Sequence, residues 1–117
     1  MTLRGTGTSK FNTEALMQVW NEYEHCAHCG EIGADAFDHI EGRSGEHNNS
    51  IVNAVPAHNQ SCNIAQHGAM HTHENKVKLF KYVLKRLAQR SYEFTDEDRA
   101  FMDSSAACRE ALLELSK

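Results

Sequence analysis

Apolar positions recur along this chain with two different periods, and the period assigns most of its elements. In residues 13–24, Leu16, Met17, Trp20 and Tyr23 fall at helical spacing behind an Asn12-Thr13 cap, which predicts a helix with Trp20 and Tyr23 packed into the core. Residues 36–40 (Ala-Phe-Asp-His-Ile) alternate as a short strand does, and residues 51–55 predict a second strand, closed by Pro56. Between them a polar loop over 41–50 turns the chain at Gly42 and Gly45. Asn63 caps or begins a helix through Ile64, Ala65 and His67. Over 75–90, Val77, Phe80, Val83, Leu84, Leu87 and Ala88 share one face, while Lys78, Lys81 and Lys85 form a separate stripe. Thr95-Asp96-Glu97-Asp98 then starts a helix with acids where its dipole favours them, leading to Phe101, Met102, Leu112, Leu113 and Leu115.

The pattern predicts an α+β chain, mostly helical. An N-terminal helix precedes a strand–loop–strand–turn–helix unit over about 25–70, and two C-terminal helices occupy about 74–116. Residues 1–10, rich in Gly and Thr, predict a mobile arm, and 11–117 a single domain. At 117 residues, with 40% hydrophobic and 24% charged positions, the composition is globular. No apolar run reaches the roughly 18–20 residues that span a bilayer, and the N-terminus lacks the apolar segment of a secretory signal. A cytoplasmic protein without a membrane partner is expected.

Net charge of −4 opposes a uniformly basic nucleic-acid binder, but the distribution changes that picture. Six of the twelve Lys and Arg residues (Lys76, Lys78, Lys81, Lys85, Arg86, Arg90) fall in one segment, and no acid lies between Asn75 and Arg90. Such a patch on an acidic chain suits a phosphate-facing surface.

The chemistry concentrates in one window. All eight histidines lie between His25 and His73, together with Cys26, Cys29 and Cys62; Cys108 sits apart in a helical pattern and reads as a buried helix residue. Cys26-x-x-Cys29 followed by His58-x-x-x-Cys62 supplies thiolate and imidazole ligands in two short-spaced pairs, which suits a tetrahedral structural Zn²⁺. His25 or His28 could take the place of His58. A redox dithiol is the competing reading of Cys26 and Cys29, but the C-A-H-C run opens no long helix in a βαβ pattern. A knuckle turn is expected from Cys26 to Gly33, with Gly30 free to take positive φ.

A second set comprises Asp38, His39, Asn53, Asn63 and His67. Asp38 and His39 are adjacent, so a strand sends their side chains to opposite faces. Asn63 and His67 are four apart, so a helix puts them on one face. A carboxylate, an amide oxygen and an imidazole make an open site for a divalent cation, Mg²⁺, Mn²⁺ or Zn²⁺, and leave His39 available as a base near neutral pH. His47, His71 and His73 read as solvated residues, and Glu46 as a residue able to contact substrate.

Cys26-x-x-Cys29, Phe37-Asp38-His39-Ile40, Asn53-Ala54-Val55-Pro56 and Cys62-Asn63 together resemble the HNH (His-Asn-His) endonucleases of the zinc-knuckle, phage type, over about residues 25–70. Two departures are the longer His58-x-x-x-Cys62 in place of a second C-x-x-C and Ala54 in place of a leucine. The resemblance implies a ββα-metal core that binds one divalent ion and hydrolyses DNA, leaving 5′-phosphate and 3′-hydroxyl ends. It implies His39 as general base, Asn53 as the residue that braces the loop, Asp38 and His67 as metal ligands, and Asn63 as a second helix ligand. DNA is the expected partner, held by Lys78, Lys81 and Lys85, or else by Arg4, Lys10 and Arg43. Further phage or DNA-processing proteins and a monomeric or homodimeric state are compatible with it. The alternative is a non-catalytic zinc module that binds nucleic acid or protein.

Overall fold

A computed structural model describes residues 11–21, 23–42, 47–58 and 72–117. Helix α1 (Thr13–Val19) starts at Asn12, whose side chain accepts from Ala15 N–H, and buries Leu16 and Val19. It is shorter than the pattern predicts. Trp20 already has extended backbone, and the Glu24 carboxylate, accepting from Asn21 N–H at 2.7 Å, closes a turn in place of another helical one. Trp20 is buried as expected, but Tyr23 beyond the turn is 66% exposed and is no core residue.

Strands β1 (Ala36–His39) and β2 (Ala54–Ala57) form an antiparallel pair in which Phe37 faces Pro56 and Asp38 faces Val55. The second strand starts later than predicted. Ile51–Asn53 is a 3₁₀ turn, because Ser50 caps it by accepting Val52 N–H on Oγ and Asn53 N–H on its carbonyl. Pro56 therefore lies inside the strand, where its carbonyl accepts Ala27 N–H at 2.8 Å.

Three helices follow, not two: α2 (His73–Gln89), α3 (Asp96–Ser104) and α4 (Ala106–Leu115). The break falls at Ser105, whose backbone is extended and whose Oγ both accepts Cys108 N–H and donates to Glu41 at 2.6 Å. Helix α3 carries a full capping box between Thr95 and Asp98. Val77, Phe80, Val83, Leu84 and Leu87 of α2 meet Phe101, Met102, Cys108 and Ala111 in the core, with Leu16, Trp20, Phe37 and Val55 from the N-terminal half. Ala88, Leu112 and Leu113 are exposed, contrary to the periodic reading. Burial pushes the Cys108 thiol up to about 12, so it is an inert apolar residue. The result is a small α+β fold, about half helical among the described residues, with a Cα radius of gyration of 12.9 Å. Among those residues no helix is long and apolar enough to cross a membrane.

Buried ion pairs hold the N-terminal half against the helices. Arg86 binds Glu24 through both guanidinium nitrogens at 2.6 and 3.2 Å, donates to Val19 O and lies 4.6 Å from the Trp20 ring centroid. Burial raises the Glu24 carboxyl, but Arg86 and the Asn21 N–H outweigh it and hold the group below its ordinary 4.5. Its stabilising contribution is thus complete above pH 4.5 and lost as pH falls through the lowered folded value. Arg86→Met should leave a buried carboxylate without its cation and cost about 3–5 kcal/mol in denaturant unfolding at pH 7. Acid unfolding of that variant should begin at higher pH, since burial alone then governs Glu24; stability within about 1 kcal/mol of the parent would refute the assignment.

Candidate metal centre and neighbouring strand

The Cys26–Gly33 segment is a knuckle. Residues His25 and Ile32 form an isolated antiparallel bridge, Cys26 N–H donates to Glu31 O, and Gly30 N–H donates to Cys26 O at 2.9 Å. Gly30 takes φ +80°, the left-handed conformation that this tight return requires. His28 N–H points at Cys26 Sγ at 3.3 Å, a contact that stabilises a thiolate. The Ala27–Pro56 hydrogen bond docks the knuckle onto β2.

His58, directly after β2, completes a Cys26–Cys29–His58 group whose ligand atoms all lie within 4.8 Å of one another. Cys29 Sγ and His58 Nδ1 are 3.4 Å apart. With Zn–S near 2.3 Å and Zn–N near 2.0 Å, tetrahedral geometry separates two ligands by about 3.5–3.8 Å, so the spacing fits. His58 Nε2–H donates to Ile32 O at 3.3 Å, fixing the tautomer that offers Nδ1 to a metal. These three residues could bind a metal such as zinc. Among the described residues neither His25 nor His28 joins the group. Cys62, the expected fourth ligand, lies outside the described residues, as do Asn63, His67, His71, Glu46, Arg4, Lys10 and Arg43.

Asp38 and His39 of β1 have separate surroundings. Asp38 is 3% exposed; its Oδ2 lies 3.1 Å from His28 Nε2, and its Oδ1 is buried with no hydrogen-bond partner among the described residues. His39 is half-buried, stacked on Phe11 with ring centroids 4.3 Å apart, and its Nε2 meets Asn49 Oδ1 at 3.0 Å. An amide oxygen only accepts, so that bond places the hydrogen on Nε2 and the lone pair on Nδ1. Asn53 is fully buried, and both its amide oxygen and its amide nitrogen are hydrogen-bonded. Its Oδ1 accepts Glu41 N–H at 2.7 Å, and its Nδ2 donates to Glu41 O and Asn48 O at 3.2 and 2.7 Å.

The loop from β1 to the 3₁₀ turn is fastened twice more. Glu41 accepts from Lys76 Nζ at 2.8 Å and from Ser105 Oγ. Burial raises its carboxyl, but these two donors hold it below the ordinary value. Ser50 Oγ donates to buried Asp98 at 2.6 Å, and Tyr92 O–H donates to the other Asp98 oxygen. The C-terminal helices are therefore the mounting of the loop that carries Asn49.

The basic segment is less available than its sequence suggests. Lys76 pairs with Glu41, Arg86 with Glu24, and Lys81 with Glu114 at 2.7 Å; Lys78 and Lys85 remain exposed. Lys78 borders a cavity of about 420 Å³ between the knuckle and α2, which His25, His28, Asn75 and Tyr82 also line. His73, read as solvated, is exposed and lies 3.2 Å from Glu110.

Sequence reasoning missed three neighbours of this site: His28 as the partner of Asp38, and Phe11 and Asn49 as the partners of His39. Only Phe11 carried a signal, being the apolar residue just before a helix cap, where staple residues sit. Comparison with family models, curated proteins and solved structures gave no match to this chain.

Proposed function

We propose that the protein is a divalent-metal-dependent endonuclease of the HNH kind, hydrolysing DNA phosphodiester bonds beside a structural zinc site. The observation that carries this reading is Asp38 Oδ1, a buried carboxylate oxygen with no partner among the described residues, next in the chain to a histidine whose ring is held on two sides. A buried polar atom left unsatisfied in a native fold needs a reason, and for a carboxylate oxygen a bound cation supplies one. Asp38 would hold that ion, with His67 and Asn63 expected to join it. When bound, the ion supplies charge neutralisation at the scissile phosphate and the leaving oxygen. His39 would take the proton from the attacking water, with Phe11 and Asn49 fixing the ring plane. Asn53, fastening Glu41 and Asn48, would keep the loop that presents Asn49 from drifting.

Supercoiled plasmid incubated with the protein and Mg²⁺ or Mn²⁺ tests the reading. Nicking abolished by EDTA is expected. A gel shift without cleavage at any metal concentration would replace it with the non-catalytic zinc module.

Duplex binding should draw on Lys78 and Lys85, the exposed members of the α2 stripe. Each phosphate contact contributes about 0.9 to the log–log salt slope, so changing both to Glu should lower it by about 1.8, whatever the DNA sequence. An unchanged slope would show that this face is merely solvated. Lys81, paired with Glu114, should contribute less.

A further inference from the structure

We infer that His28 is a positioning residue for the catalytic cation: its ring fixes the Asp38 carboxylate so that Oδ1 is presented to the metal. The inference rests on the nuclease reading, in which Asp38 is a metal ligand. The His28 and Asp38 side chains are 3% and 2% exposed, and His28 Nε2 stands 3.1 Å from Asp38 Oδ2. An ionised carboxylate only accepts, so the proton lies on Nε2 and His28 donates. One carboxylate oxygen is thereby used up and turned toward the knuckle. The other is left buried, with no hydrogen-bond donor to it among the described residues. A carboxylate free to rotate would exchange its two oxygens; this one cannot without abandoning the His28 bond inside a buried pocket.

The placement of His28 gives it a reason to be rigid. It lies between Cys26 and Cys29, its own N–H is spent on Cys26 Sγ, and the preceding Ala27 is tied to Pro56 O. A metal on the two thiolates thus immobilises the backbone that carries the donor. The His28 side chain links the knuckle to β1. Partners that orient metal ligands in this way typically change metal affinity 10–100-fold when removed.

The test is Mn²⁺ binding to the zinc-loaded full chain, followed by calorimetry, in the parent, His28→Phe, His28→Gln and Asp38→Ala. His28→Phe should weaken Mn²⁺ binding 10–100-fold, whereas His28→Gln, whose amide N–H reaches the same place, should stay within about threefold of the parent. Zinc content should remain one per chain in both. Parent-like binding by His28→Phe overturns the inference alone, and so does a Gln variant as weak as Phe, which would make the ring nitrogen a direct ligand. Should His28→Phe fail to fold, the parent decides by NMR. The His28 Nε2–H resonance should persist when Mg²⁺ is added, and its loss on Mg²⁺ binding overturns the donor role. Parent protein that shows no Mn²⁺ binding sensitive to Asp38→Ala overturns the nuclease reading together with this one.

Discussion

His39→Ala should lower metal-dependent plasmid nicking by about 10²–10⁴-fold while leaving zinc content and unfolding free energy close to those of the parent. The size follows from the role proposed for His39. A phosphodiester is a poor electrophile, and a water whose proton has no acceptor attacks it slowly. The small effect on stability follows from the surroundings. His39 contacts Phe11 by ring stacking and exposed Asn49 by one hydrogen bond, and Phe11 keeps its place in the core without it. Mn²⁺ affinity should also survive, since the Asp38 carboxylate is partnered by His28, which the substitution leaves in place. Asn49→Ala should fall between parent and His39→Ala, because it frees the ring without removing the base. A His39→Ala variant that nicks at the parental rate under the same metal concentration would take His39 out of the mechanism.

What the sequence disclosed and what it hid divide along the range of the interactions involved. Helix α2 was legible because its apolar face repeats over seventeen residues, and β1 because alternation alone specifies a strand. The 3₁₀ turn at Ile51–Asn53 was not, because an apolar run reads as strand while the deciding bonds come from the Ser50 side chain and carbonyl. The break at Ser105 was hidden for the same kind of reason: its hydroxyl is held by Glu41, 64 residues away. The basic segment misled most. Nothing local neutralises Lys76, Lys81 or Arg86, yet acids 35, 33 and 62 residues distant do so. Charge runs report composition, and the fold decides which charges remain for a ligand. At the candidate site, spacing exposed the Cys26–Cys29–His58 group because ligands must converge on one ion. The His28–Asp38 bond depends on how the knuckle docks against β1 and β2, which no spacing encodes.

Loss of the knuckle metal should have a large effect on stability, and a local origin. Protein purified without chelator should contain one zinc per chain, and Cys26→Ser or Cys29→Ser should abolish it. Zinc binding to small knuckles carries an apparent free energy of about 10–16 kcal/mol, all of it coupled to folding where no other core exists. Here the helices retain their own core of Phe80, Phe101, Val83 and Leu87, so only part of that energy supports the global fold. Even a quarter of it, about 3 kcal/mol, should lower the melting temperature by roughly 10 °C or more in a chain of this size. The segment that suffers is 25–34, which has few buried apolar side chains of its own: Cys26 and Ala34 are buried, whereas Ile32 is 60% exposed. Hydrogen exchange should accordingly rise first at Cys26, Gly30 and Ala27 amides, while those of α2 stay protected. Because Ala27 is tied to Pro56, and His28 to Asp38, the disturbance should reach β1 before it reaches the helices. Folded protein free of zinc, or a Cys29→Ser variant with parental melting and exchange, would overturn the metal assignment and return Cys26 and Cys29 to the status of an ordinary dithiol.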